Sequence, residues 1–152
     1  MALHDEGFAV LRPEEQHWRE SNIMQIPNTS LMDALGGSDR FGGRMWRLPP
    51  YSANTWHKHV DSWELYVLLE GTGRRVGRRL ITLPRYGCVL VAPHVLRQVF
   101  NDTPSEALWL IVAAPQEDHE RIKENPSNIY PEDPTSLPPE LRGRTWPPRR
   151  PA

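Results

Sequence analysis

The chain has 152 residues, 38% of them hydrophobic and 24% charged, with 18 Lys and Arg against 19 Asp and Glu for a net charge of −1. These values describe one globular domain with a real core and exclude both a disordered chain and a basic binder of nucleic acid or membrane surface. A single cysteine, Cys88, excludes an intrachain disulfide; the acidic start MALHDEGFAV does not read as a leader, and no apolar run approaches the ~18 residues of a membrane span, so the expected setting is the cytoplasm.

Residues 1–42 are mixed in character and read as an N-terminal arm or lid. Strand signals take over from residue 43. GRMWRLPP is a short strand stopped by Pro49 and Pro50, and NTWHKHV is a short β-rich piece. WELYVLLEG is the strongest strand of the chain. GTGRRVGRRLITLP reads as a hairpin with Arg74, Arg75, Arg78 and Arg79 on a solvated turn. GCVLVAP reads as a buried strand that includes Cys88, RQVFND as a strand running into a turn, and ALWLIVAAP as another buried strand. Short strands with turn signals every 8 to 12 residues predict an all-β sandwich or barrel over 43–115. Residues 116–152 predict one short helix in PQEDHERIKEN and then a tail holding eight of the sixteen prolines. Ile129, Tyr130, Leu137, Leu141 and Trp146 are spaced as anchors that drape this tail over the body.

Chemistry concentrates in 56-WHKHVDSWELYVLLEG-71. Side chains at i and i+2 of a strand share a face, so His57 and His59 aim at one point. The residues VDS turn the chain, and Glu64 opens the next strand, from which its carboxylate can reach the same point. Two neutral imidazoles and one carboxylate with open positions form a ligand set for a catalytic divalent metal. Coordination would also satisfy polar groups that are costly to bury.

The spacing of His57, His59, Glu64 and Gly71 resembles the first motif of the cupin superfamily, and Gly87 followed by Pro93 resembles a degraded second motif. Val95 and Tyr51 stand where that pattern has glycines. The resemblance implies a small antiparallel β-barrel or jelly roll with its site inside the mouth. It also implies one divalent transition metal, drawn from Fe, Mn, Ni, Zn, Co or Cu. Counted forward from Gly87, the family's fourth ligand falls on Gln98, whose side-chain oxygen can bind a hard ion. Counted back from Asn101 it falls on Arg97, which cannot ligate; His94 is a nearby spare.

Arg44 and Trp46 lie two apart on the preceding strand, where Arg44 can hold a substrate carboxylate. Tyr66 shares a face with Glu64 and can donate a proton or hydrogen bond to a substrate oxygen. Leu65, Val67, Val89, Val91, Leu108 and Leu110 are expected in the core. Trp46, Trp56, Trp63 and Trp109 are many for one small core, which points to a homodimer with the arm exchanged. The expected function is metal-dependent chemistry, dioxygenase-like, on a small organic acid, phenol or sugar-like metabolite. The alternatives are a small-molecule-binding module and a metal-free isomerase or dehydratase with His57 or His59 as acid–base group.

Overall fold

The computed structural model describes residues 6–35, 37 and 40–148. The extreme ends of the predicted arm and tail therefore lie outside the described residues. The strands form two antiparallel sheets rather than one closed barrel. The larger sheet runs β1 (Arg19–Glu20), β2 (Pro27–Ser30), β3 (Gly42–Leu48), β10 (Ala107–Ala114), β5 (Trp63–Glu70) and β8 (Cys88–Val91). The smaller runs β4 (Ser52–Ala53), β9 (Gln98–Asn101), β6 (Gly73–Val76) and β7 (Leu80–Leu83). Among the described residues two short α-helices, α1 (Leu31–Ala34) and α2 (His119–Glu124), accompany them, so the class is all-β with jelly-roll layering.

Alternation along β5 decides what enters the space between the sheets. Glu64, Tyr66 and Leu68 are buried while Trp63 and Leu65 are exposed. Leu65, expected in the core, is 37% exposed, and Val67 and Leu110 pair with each other on the same outer face, so the core assignment fails for those three residues. The parity that brings Glu64 inward turns its odd-numbered neighbours outward. Val91 and Leu108 are buried as expected. Trp109 is fully buried and packs edge-on against Tyr66 at 6.1 Å, and Trp46 packs against the same core.

The register then grades the interior. Trp46, Trp109 and Leu68 lie across one row of β3, β10 and β5. Arg44, Ile111 and Tyr66 lie across the next, and Gly42, Ala113 and Glu64 across the one beyond. Large side chains fill one end. At the other end, beside Glu64, the small Gly42 and Ala113 stand, and the Gln116 side chain packs over Gly42.

Four expectations change at the edges. The predicted arm is an edge of the sheet: β2 pairs with β3 of its own chain through Asn28↔Trp46 and Ser30↔Arg44. Cys88, expected to be buried, is exposed because it pairs with Val67 on the outer face of the sheet. Arg75, expected on a wet turn, is only 6% exposed, because the alternation of β6 sends it inward opposite Val99. The segment carrying the histidines is not a named strand but holds one bridge, His57↔Arg97. The hairpin β6–β7 and the helix α2 form as read, and Ile129 and Leu141 bury the tail against the body. Among the described residues, no helix is long and apolar enough to cross a membrane.

Two turns explain motif residues. Tyr51 adopts φ 55°, a left-handed conformation that accounts for a glycine at that place in the cupin pattern. Its ring is covered by the Arg144 guanidinium at 3.6 Å. Gly71 has φ 79°, and a Cβ there would lie 2.4 Å from the Glu106 carbonyl oxygen. Gly71→Ala is therefore expected to lower stability by about 2–3 kcal/mol. Chemical denaturation measures it, and an unchanged midpoint would refute the constraint.

Candidate metal centre

The two histidines project together because their backbone is extended and gripped on both sides. His57 N–H donates to Arg97 O at 3.1 Å and His59 N–H to Pro93 O at 2.9 Å. The intervening amides face the other way: Trp56 N–H donates to Pro134 O at 3.0 Å and Lys58 N–H to Ile129 O at 2.9 Å. The proline-rich tail thus supplies the second ladder that makes 56–59 behave as a strand.

Both imidazoles present Nε2 to one atom. His59 Nε2 lies 3.1 Å and His57 Nε2 3.6 Å from Glu64 Oε1. The rings stand nearly perpendicular, with centroids 5.1 Å apart. Each Nδ1 faces an acceptor. For His57 it is Thr55 O at 3.0 Å, and for His59 it is Glu117 Oε2 at 3.3 Å. An Nδ1–H aimed at such a partner leaves the Nε2 lone pair inward, the usual support of a metal-bound histidine. Two inward lone pairs facing a carboxylate oxygen repel one another unless a proton or a cation lies between them.

Ligand atoms of His57, His59 and Glu64 all lie within 4.8 Å of one another, so the three can hold a metal ion. The Nε2 of His59 is buried without a hydrogen-bond partner, as a ligand atom facing an ion would be, while its Nδ1 lies beside Glu117 Oε2 without an aligned hydrogen bond. Burial alone would push the Glu64 carboxyl up; the closeness of the His57 and His59 imidazoles outweighs it and holds the carboxyl well below the usual carboxylate range. An ionised carboxylate is the form that ligates.

Gln98 does not join them. Its amide nitrogen donates to Asn54 O at 2.8 Å and Ser136 O at 2.7 Å, tying strand to tail. The corner expected for it is taken by Arg97, whose Nε lies 3.4 Å from Glu64 Oε1. His94 is exposed and lines a separate cleft with Trp56 and Arg78.

Tyr66 joins the cluster, its hydroxyl donating to Glu64 Oε1 at 2.7 Å. Burial, and then the Glu64 charge, push its pKa well up, so the phenol stays a proton donor at neutral pH. Arg44 lies across the intervening strand β10, about 10 Å away by strand spacing. Asn28 Oδ1 accepts from its Nη1 at 2.9 Å, and Asp33 lies 3.8 Å from Nη2. Between the two lies a cavity of about 270 Å³. Trp46, Val99 and Ile111 wall it, and Met32, Ile122, Ile129 and Tyr130 border it from the arm, α2 and the tail.

Glu117 is a site residue that sequence reading missed. Its Oε1 accepts from Val60 N–H at 3.1 Å and its Oε2 from Ser62 N–H at 3.2 Å, clamping the turn between His59 and Glu64. In the sequence Glu117 reads as the acid of an i,i+4 helical pair with Arg121, but the helix begins after it, Arg121 pairs with Asp61 at 2.8 Å, and Glu117 turns to the histidine segment.

No family model and no curated protein matches the chain by sequence. Solved structures do match. A sugar phosphate isomerase of the cupin superfamily from Silicibacter pomeroyi superposes with a TM-score of 0.63 at 21% identity, covering 71% of this chain and 76% of that one. A predicted oxalate decarboxylase from Thermotoga maritima gives 0.63 at 18%, covering 71% and 100%. KdgF from Halomonas sp. gives 0.62 at 12%, covering 74% and 97%. The chain has the cupin, or double-stranded β-helix, fold.

Glu117→Ala removes the acceptor of two backbone N–H groups and is expected to lower stability by about 2 kcal/mol. Burial pushes the Glu117 carboxyl up, but hydrogen bonds from Ser62 and Val60 outweigh it and lower the pKa. Its contribution is therefore present above the ordinary value of about 4.3 and lost on acidification through the lower folded value. Urea unfolding of both chains at pH 7 and pH 3 checks this: the gap should narrow in acid, and a constant gap would refute the carboxylate's role.

Proposed function

We propose that this protein is a metal-dependent cupin enzyme acting on a small anionic metabolite, an organic acid or sugar acid, through one divalent ion held by His57, His59 and Glu64. The observation that carries the reading is the convergence of two Nε2 atoms on Glu64 Oε1 at the end of a cavity bordered by Arg44. Two imidazoles and one carboxylate with open positions favour iron(II) among first-row ions. When bound, the ion would polarise a substrate oxygen or serve dioxygen chemistry.

The chain's own residues supply the rest. Arg44 pairs with the substrate's carboxylate or phosphate, positioned for it by Asn28 and Asp33. Tyr66 offers its proton from the Glu64 side of the cavity. Trp46, Val99 and Ile111 exclude water from the carbon skeleton. A cavity of about 270 Å³ suits a metabolite rather than a polymer. Sugar phosphate and oxalate, named for two of the structural neighbours, are both small anions.

One arrangement favours a second reading. His59 lies between two carboxylates, Glu64 and Glu117, as a general acid–base imidazole does. In that reading the protein is a metal-free isomerase or dehydratase.

Elemental analysis separates the two. The purified wild type is expected to carry about one transition-metal ion per chain, and the His57→Ala, His59→Ala double variant none. Equal metal in both chains would sink the metal reading. Arg44→Ala is expected to raise KM for acidic substrates about tenfold or more while changing kcat less. Steady-state kinetics, with oxygen uptake across keto acids, sugar acids and phenols, makes that comparison, and an unchanged KM would remove Arg44 from substrate binding.

A further inference from the structure

Arg97 enters the interior beside His57. The two residues pair directly, with His57 N–H to Arg97 O at 3.1 Å and Arg97 N–H to His57 O at 2.8 Å. Residues directly opposite in an antiparallel pair send their side chains to the same face. The Arg97 side chain is fully buried. Its Nη1 and Nη2 donate to Pro93 O and Ala92 O, each at 3.2 Å, which anchors the guanidinium plane. Its Nε, 3.4 Å from Glu64 Oε1, has no aligned hydrogen-bond partner. Arginine stays protonated in proteins, so this corner of the centre holds a permanent positive charge that cannot ligate.

We propose that Arg97 is the resident cation of the centre: it neutralises Glu64 in the metal-free protein and keeps a bound divalent ion weak and exchangeable. The inference rests on the reading of His57, His59 and Glu64 as metal ligands. Two effects act in the same direction on affinity. The corner contributes no donor atom, and a buried like charge repels an incoming cation. The same charge has the opposite effect on the metal-free fold. A buried carboxylate without a counter-charge is strongly destabilising, and Arg97 removes that penalty. Where no protein cation stands beside the ligands, metal binding and folding are coupled; Arg97 uncouples them here. Arg75, also buried, lies close enough to feel the charges of Arg97 and Glu64, and adds to the positive potential of this end.

The test uses the full chain, Co²⁺ as the probe, and two variants, Arg97→His and Arg97→Met. Competition with a chromophoric chelator gives Co²⁺ affinity, and thermal unfolding with and without EDTA gives the metal dependence of the fold. Arg97→His is expected to bind Co²⁺ about tenfold or more tightly than wild type. Arg97→Met, which removes the charge without adding a ligand, should also bind more tightly, and it carries the affinity test if Arg97→His does not fold. In EDTA, the unfolding midpoint of Arg97→Met should fall below that of wild type and recover with Co²⁺, while wild type changes little. Equal Co²⁺ affinity in wild type and variants overturns this inference alone. Equal midpoints of wild type and Arg97→Met in EDTA overturn the neutralising role. Absence of Co²⁺ binding in all three chains overturns the ligand reading, and this inference with it.

Discussion

One carboxylate oxygen organises the interior. Glu64 Oε1 has Tyr66 Oη at 2.7 Å, His59 Nε2 at 3.1 Å, Arg97 Nε at 3.4 Å and His57 Nε2 at 3.6 Å. A buried anion is tolerated only when positive or donor groups surround it. Those groups come from β5 itself, from the extended segment before it and from the residue just ahead of β9. The polar cluster takes up one end of the space between the sheets. Packing is left to the other end, where Trp109, Leu68 and Leu48 are fully buried. The molecule thus has a dry half that holds the sheets together and a polar half that faces the cavity.

Much of this was legible in the residues because the deciding signals are local. The alternation of 63-WELYVLLE-70 put Glu64, Tyr66 and Leu68 on one face, and His57 and His59 converge because an extended chain repeats every two residues. The hairpin β6–β7 formed where glycine-punctuated turns placed it, and the tail is buried at Ile129 and Leu141 because apolar side chains in a proline-rich stretch have nowhere else to go.

The failures share a cause. Counting forward from Gly87 and backward from Asn101 differ by one residue, and a slip of one residue exchanges the two faces of a strand. Asn101 holds the far end of β9 through Leu48 O, Pro49 O and Ser105 O, and His57 pairs with Arg97, so the backward count is the one the fold obeys. In the pair Arg74–Arg75 one side chain must face inward, and nothing local says which. The N-terminal segment looked like an arm because PNTS has no apolar alternation of its own; its order comes from pairing with β3. Glu117 reaches His59 across a long stretch of chain, and contacts of that kind leave no local trace.

The grip of the tail on Trp56 and Lys58 also bears on timing. During synthesis the chain emerges from its N-terminus, so the histidine segment is out well before Ile129 and Pro134 follow. Until then one side of that segment lacks its backbone partners. A nascent molecule stalled near the end of β10 would own His57, His59 and Glu64 yet hold its two imidazoles by a single edge. The second edge that orients the imidazoles arrives with Ile129 and Pro134, after the sheets themselves have had time to close.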